Sequence, residues 1–323
     1  MQGVESQSRA SNIAAPEPTP CFAREVRSLP AHQVLYSSGA YQVAVASTAQ
    51  APHLMNEIGR LREISFRAVG EGTGHDRDVD DFDAWYQQLF VWHDASEQVL
   101  GAYRLCMTDV VRRHKGPGGL YTKTLFRYDE SFLDRLGPAL ELGRSFVRVE
   151  AQGAGRVLAL LWRGIAQLLA ARPRYRTLFG PVSVSSRYTE HARQLMAATL
   201  CRGQYRHPLA EHVEALRPVL PQLSLDVEVD QEVRLLSRRI AALEPDRKGL
   251  PILVREYIKL GGQFLAFSVD PDFGNAMDGL VAVDLDQTDP KFLCLYMGPD
   301  NYQQFRRVKH RHAHREVTVP TPV

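Results

Sequence analysis

Between Glu141 and Tyr188 the chain gathers side chains of the kinds that move protons and hold anions. Glu141 and Arg144 lie in the run Ala139 to Val149, whose alternating apolar residues read as a β-strand, so the two charges need not share a face. A carboxylate can take a proton from a reacting group, and a guanidinium grips a carboxylate or phosphate through paired hydrogen bonds. Gln152-Gly153-Ala154-Gly155 then turns the chain into a helix. Backbone N–H groups and the positive end of the helix dipole converge at such a turn, which suits a phosphate. The same glycines also serve an ordinary strand-to-helix connection. The spacing is neither Gly-x-Gly-x-x-Gly nor a P-loop, so no dinucleotide or Walker site is indicated. Past the helix comes a cluster of hydroxyls, Ser183, Ser185 and Tyr188. No Ser-His-Asp or Cys-His arrangement is legible, so no covalent intermediate is expected.

The element that must position these groups is the helix from about Arg156 to Ala171. Val157, Leu161, Ile165 and Leu168 recur at helical spacing, Leu158 and Trp162 widen the apolar face, and Arg156, Arg163 and Gln167 fall opposite. Arg172-Pro173 ends it, because the residue before proline leaves the α region. A strand follows from Thr177 to Ser185. Upstream, Tyr41 to Val45 alternates as a first strand and Pro52 to Val69 carries a helical pattern. Gln88–Trp92 and Val99–Leu105 form a hairpin across Asp94-Ala95-Ser96-Glu97. Gly116-Pro117-Gly118-Gly119 marks a flexible loop. Downstream, Tyr188–Leu200, Gln231–Leu243 and Pro251–Leu260 read as helices, and Phe264–Val269 and Leu280–Leu285 as strands joined by Asp270–Asn275.

The composition, 44% hydrophobic and 24% charged over 323 residues, is that of a folded soluble chain with ample length for a core. A net charge of +2 favours no partner overall, but seven arginines stand against one acid between Gly143 and Arg176. Such a patch draws anionic partners, unless its arginines are simply solvated. Four scattered cysteines without a CxxC pair fit a reducing compartment and argue against disulfides or zinc. Asp76, Asp78, Asp80, Asp81 and Asp83 crowd one loop without the spacing of a calcium site, so no metal is expected. No secretory signal or membrane span is visible. The Ser-, Ala- and Pro-rich residues 1–39 are expected to be disordered, and 301–323, with His310, His312 and His314, to form a basic flexible tail drawn to anionic lipid.

Three segments carry a family resemblance: Glu141-Leu142-Gly143-Arg144-Ser145, Leu160-Leu161-Trp162-Arg163-Gly164-Ile165, and Leu178-Phe179-Gly180-Pro181-Val182-Ser183-Val184-Ser185. Together they resemble the bacterial N-acyltransferases that make ornithine lipids and other acylated amino acids, within the wider GNAT group and similar to acyl-homoserine-lactone synthases. The resemblance extends from about Tyr41 to Met297 and implies an α/β (α+β) domain over residues 40–300: a mixed central sheet flanked by helices, with two splayed parallel strands admitting a pantetheine arm. It further implies an enzyme moving a long 3-hydroxyacyl chain from acyl carrier protein to the α-amino group of ornithine, glycine or another amino acid.

By the same resemblance Arg62, Phe66, Asp83 and Arg104 line the acceptor side. Glu141 is the expected proton acceptor, Arg144 orients a carboxylate or the carrier phosphate, and Ser183, Ser185 or Tyr188 protonates the departing thiolate. The backbone at Phe146 and Val147 would donate to the oxyanion, and Gln152, Gly153, Gly155 and Arg156 would meet the pantetheine phosphate. Asp270, Asp272 and Asp278 could serve the amine. Val157 stands where the GNAT signature has a small residue, which favours the single phosphate of acyl carrier protein over coenzyme A. No permanently bound cofactor and no nucleic acid are expected. The product is expected to be the singly acylated lyso-lipid, made in the cytoplasm, at most peripherally at the inner membrane. The alternatives are an autoinducer synthase, which the length beyond Leu200 disfavours, and a non-catalytic acyl-carrier or lipid-binding relative.

Overall fold

The computed structural model describes residues 12–153, 155–219 and 233–313. Its core is an eight-stranded sheet in the order β1-β2-β3-β4-β6-β7-β10-β9. These strands are Val34–Ser38 (β1), Tyr41–Ser47 (β2), Gln87–His93 (β3), Gln98–Met107 (β4), Ala139–Val147 (β6), Thr177–Val184 (β7), Gln263–Asp270 (β9) and Ala276–Asp284 (β10). A small ribbon pairs Phe126–Arg127 (β5) with Glu214–Ala215 (β8). Every neighbouring pair in the large sheet is antiparallel except β6 and β7.

Side chains along the central strands alternate between two cores, as period-2 geometry requires. On one face the helix Arg156–Ala171 lays Val157, Leu161 and Ile165 among Val43, Leu89, Val91 and Tyr103. On the other, the helix Pro52–Val69 brings Leu54, Ile58 and Phe66 onto Phe90, Trp92 and Phe146. Gly164 lies where the first of these helices touches the sheet: a Cβ there would overlap the Val43 side chain. That close approach is the physical content of Trp162-Arg163-Gly164-Ile165.

The parallel pair is brief. β6 and β7 are in register only through Ala139–Glu141 against Thr177–Phe179. Beyond that point β6 stays with β4 as far as Val147, while β7 stays with β10 as far as Val184. The sheet therefore parts into two halves that share one edge near Glu141. At the parting Gly180 has φ +151°, and any Cβ on it would overlap the Leu142 carbonyl oxygen.

Two expectations about the chain ends fail within the described residues. Thr19–Arg27 is a helix, and Phe22 packs edge-on against Trp92 at 6.1 Å; proline and serine around it conceal the Phe22-Ala23-Val26 stripe. Residues 1–11 lie outside the described residues. At the other end Pro299–Ala313 is helical and buries Phe305 under the Arg176 guanidinium, 3.7 Å from the ring centroid. His314 and the residues after it lie outside the description. The Gly116–Gly119 segment is not an open loop but a 3₁₀ turn whose Gly119 carbonyl accepts from the Trp85 indole at 3.0 Å. Before it, Thr108–Lys115 is a helix that sequence reading did not identify.

Most of the arginine patch is already engaged. Arg148 pairs with Glu150, Arg156 lies over Tyr41, Arg163 donates to the Tyr36 hydroxyl, Arg174 pairs with Asp109, and Arg176 donates to the Phe305 carbonyl. Arg144 is engaged at the cleft described below.

Gly180→Ala is expected to force β6 and β7 apart at their last point of contact. It should cost on the order of 2–4 kcal/mol, a sum of backbone strain and overpacking. Urea denaturation should show a lower midpoint with an unchanged slope.

Candidate active site

A shallow cleft, open to solvent, lies where the two half-sheets part. Gly143, Arg144 and Ser145 of β6 form one wall and Pro181, Val182 and Ser183 of β7 the other. Phe66, Tyr103, Leu253, Tyr257, Phe273 and Asp278 complete it. The β6 wall is irregular: register passes from Ala102↔Phe146 to Arg104↔Gly143, so Arg144 and Ser145 together face Tyr103. This is a β-bulge, which bends a strand and re-aims its side chains. Arg144 takes a left-handed backbone, φ +48°, which costs a non-glycine residue on the order of 1 kcal/mol and is found where structure or function demands it.

Behind Arg144 lies a closed set of ion pairs. Arg62 grips Asp83 with two hydrogen bonds at 3.0 and 3.1 Å and also bonds the Asp78 carbonyl and Gln88. Arg104 pairs with Asp80 and lies 3.3 Å from Asp83, under the rings of Phe82, Tyr86 and Tyr121. Arg144 reaches Asp78 at 3.0 Å and donates to the Tyr121 hydroxyl oxygen at 2.8 Å, with the Phe273 ring beneath it. Three guanidinium groups thus balance three carboxylates across the helix Pro52–Val69, the acidic loop, β4 and β6. Although burial opposes it, the charges of Arg62 and Arg104 hold the Asp83 carboxyl well below the ordinary carboxylate range.

The structure brings Arg62, Asp83, Arg104 and Arg144 into one network, but of these and Phe66 only Arg144 and Phe66 border the cleft. Arg62, Asp83 and Arg104 are each at most 1% exposed and paired with one another or with Asp80 in the network, although Arg62 Nε and Arg104 Nη2 have no hydrogen-bond partner among the described residues. In this geometry they hold the acidic loop in place and do not meet an acceptor. His75 and Asp80 stand in a His-x-x-x-x-Asp spacing. Here Asp80 is committed to Arg104 and the exposed His75 forms no ion pair with it among the described residues.

Glu141 is also displaced from its expected place. It is 1% exposed, and its carboxylate accepts from the Tyr86 hydroxyl at 2.5 Å and the Thr122 amide at 2.9 Å. Burial raises its proton affinity, but no oxygen faces the cleft lining. It fastens the Tyr86 and Thr122 segments under β6. The Tyr188 hydroxyl donates to the Gly249 carbonyl at 2.7 Å, and Ser185 donates to Val69, so neither is free to serve a thiolate. Ser183 does line the cleft. Phe146 is packed in the core on the Pro52–Val69 side, and the backbone that borders the cleft is instead the bulge at Arg144 and Ser145.

The groups that do face the cleft include some that sequence reasoning missed. Tyr103 is buried, its proton held up to about 12 by burial, with its hydroxyl toward Ser145 and Tyr257 but without a well-formed hydrogen bond. Asp278, one of the loop-region acids considered for the amine, is 6% exposed and lines the cleft. Burial, followed by the nearby Asp270 and Glu71, pushes its proton affinity well up. Glu71 is not itself in the lining but is one hydrogen bond from it: its carboxylate accepts from Ser183 at 2.9 Å, and burial pushes its pKa up to about 7. Nothing in the acidic run Gly70–Asp83 distinguishes Glu71 from its solvated neighbours. Among the described residues no group of three or more His, Cys, Asp or Glu is spaced to hold a metal ion.

At the far end of β6 the glycine turn is solvent-exposed. Gly153 and Gly155 have φ +101° and +63°, and Gln152 donates to the Val147 carbonyl at 2.9 Å. The helix Arg156–Ala171 begins at Gly155 with no side-chain cap, so its first N–H groups are open to a ligand. Arg156 lies beside them over the Tyr41 ring.

Removing one member of the ion network leaves a buried charge uncompensated. Asp83→Asn is expected to cost about 3–5 kcal/mol. Because the folded carboxyl binds its proton more weakly than the unfolded one, its stabilisation is full above about pH 5. It is lost progressively as pH falls below the ordinary aspartate value of about 4. Denaturation midpoints measured from pH 7 to pH 3 should fall more steeply in the natural protein than in the Asp83→Asn variant.

Residues 61–163 match the family model of the acetyltransferase (GNAT) domain. The chain is 32% identical over 268 residues to a glycine N(alpha)-acyltransferase of Bacteroides thetaiotaomicron, covering 75% of this chain and 77% of that protein. It is 34% identical over 110 residues to an L-ornithine N(alpha)-acyltransferase of Rhizobium meliloti, 32% of this chain and 36% of that one. FeeM, an N-acyl amino acid synthase from uncultured soil microbes, aligns in structure with a TM-score of 0.42 at 10% identity, over 78% of this chain and 95% of its own. With the parted sheet and its cleft, the similarity to the Bacteroides protein means that the chain belongs to this family of GNAT-type N-acyltransferases, and it is an acyltransferase.

Proposed function

We propose that the protein transfers a long acyl chain, with a 3-hydroxyacyl chain as the expected donor, from acyl carrier protein to the α-amino group of an amino acid, giving a lyso-aminolipid. The observation that carries this reading is the cleft between β6 and β7, which offers one cation, Arg144, the buried Asp278 carboxyl and Tyr103 hydroxyl, and the half-buried Ser183 hydroxyl. Zwitterionic amino acids bring both complements: a carboxylate for Arg144 and an ammonium for the acids. The names of the relatives, glycine and L-ornithine acyltransferases, support an amino-acid acceptor.

The thioester would enter where the strands separate, with the acyl carbonyl against the bulged backbone at Arg144 and Ser145. Backbone N–H groups there are the nearest donors for the oxyanion that forms when the amine attacks. The uncapped helix at Gly155, with Arg156 beside it, suits the single phosphate of a carrier-bound pantetheine. Val157 is buried in the core beneath this turn and supports that choice over the pyrophosphate of coenzyme A. Tyr103 and Ser183 are the hydroxyls placed to return a proton to sulfur. Among the described residues no helix is long and apolar enough to cross a membrane. The amphiphilic product would then pass to a bilayer by peripheral contact.

The test is mass spectrometry of products from purified protein, 3-hydroxyacyl carrier protein and equimolar glycine and ornithine, with the matching acyl-coenzyme A in a parallel reaction. An N-acylated amino acid, formed faster from the carrier protein, is expected. No amide with either amino acid, while the carrier protein still binds, would overturn the reading in favour of a binding protein.

A further inference from the structure

Amide formation begins with an acceptor that is an ammonium at neutral pH, and an ammonium has no lone pair. A proton acceptor must therefore stand at the cleft or one hydrogen bond from it, partly open to water and ionised at the working pH. Glu141 fails on place: both its oxygens are held by Tyr86 and Thr122 beneath β6. Asp78, Asp80 and Asp83 fail on charge, since each is balanced by a guanidinium of the closed network.

What is left is a second, unbalanced group of acids on the β7–β10 side. Asp278 faces Ser183 in the β10–β7 register, and Ser183 in turn donates to Glu71. Asp278 has no cation within ion-pair distance and no hydrogen-bond partner among the described residues. Asp270, at the end of β9, accepts from the Tyr121 hydroxyl at 3.4 Å. The nearby cation is Arg144, already shared with Asp78 and Asp80. Glu63 and Arg187, on the flanking segments, are spoken for by Arg67 and by the Ala68 carbonyl. Glu71 itself is half-buried, and its backbone is pinned at the end of the Pro52–Val69 helix by a hydrogen bond to the Phe66 carbonyl at 2.9 Å.

Resting on the acyl-transfer reading above, we propose that Glu71, held by the Ser183 hydroxyl, is the group that takes the proton from the acceptor's ammonium. One ammonium proton passes to the Glu71 carboxylate, leaving a neutral amine. The amine lone pair forms the C–N bond at the thioester carbonyl, and the C–S bond breaks with its electron pair on sulfur. The second nitrogen proton goes to that sulfur as the thiol leaves, and Glu71 releases its proton to water, so one proton is liberated per amide. Asp278, buried more deeply, keeps its own proton and stays neutral, so Glu71 alone supplies the negative charge that attracts the incoming ammonium once it is ionised. The pKa of Glu71 near 7 matches this task, because burial raises it and the Ser183 bond restrains it.

The test is the pH dependence of kcat from pH 5.5 to 9.5 with 3-hydroxyacyl carrier protein and whichever of glycine or ornithine the natural protein acylates. If the natural protein makes no amide with either, the acyl-transfer reading itself has failed. Given activity, kcat should rise through a limb near pH 7 and then level. Glu71→Gln should lower kcat at pH 7 by about 100- to 10,000-fold and abolish the limb, the rate then climbing steadily with pH. Ser183→Ala removes the bond that restrains Glu71, so the limb should move to higher pH. Glu71→Gln within threefold of the natural rate, or with the limb intact, overturns the proposal. Should Glu71→Gln fail to fold, a limb unmoved in Ser183→Ala overturns it equally.

Discussion

The collision that any side chain on Gly180 would have with the Leu142 carbonyl marks the point on which the molecule turns. Parallel pairing of β6 and β7 ends there after three residue pairs, and each strand follows a different neighbour. Both remain paired on their outer sides, β6 with the one interruption at its bulge, so the parting costs no core strand its ladder. It leaves one inner edge of each strand unpaired by the other, and polar backbone at such an edge must find another partner or a ligand. The cleft, the bulge at Arg144 and the placement of Ser183 all follow from that separation.

Charge around the cleft is arranged in two tiers. Arg62, Arg104 and Arg144 neutralise Asp78, Asp80 and Asp83, under a lid of aromatic rings, and this tier locks the loop after Pro52–Val69 against the sheet. A buried set of this kind is expensive to assemble and more expensive to break, which suits a rigid floor. Glu71, Asp270 and Asp278 form the second tier with no guanidinium of their own. Separating structural charge from available charge allows one small site to be rigid and still hold a reactive carboxylate.

Regular elements were legible wherever period and punctuation agreed. The helix Arg156–Ala171, framed by glycine and Arg172-Pro173, and the helix Pro52–Val69 occur with the ends the sequence indicates. Thr19–Arg27 was not, because proline and serine dominate the composition while only a short stripe of Phe22, Ala23 and Val26 carries the packing. Of the residues the sequence singles out for the site, Arg144, Phe66 and Ser183 border the cleft. The motif could not tell Glu141 from Glu71, since which carboxylate is sealed by a tyrosine hydroxyl and an amide is decided by segments 55 and 19 residues away from Glu141. Tyr188 misled for the same reason: its hydroxyl finds a carbonyl 61 residues further on.

The central claim is that acyl transfer takes place in the gap between the half-sheets. The most direct measurement is a crystal structure of the protein with a non-hydrolysable S-acyl-pantetheine analogue. The account predicts the thioester carbon between Gly143–Ser145 and Pro181–Ser183, within hydrogen-bonding reach of the β6 bulge. An analogue bound elsewhere, with this gap closed or filled by side chains, would contradict it.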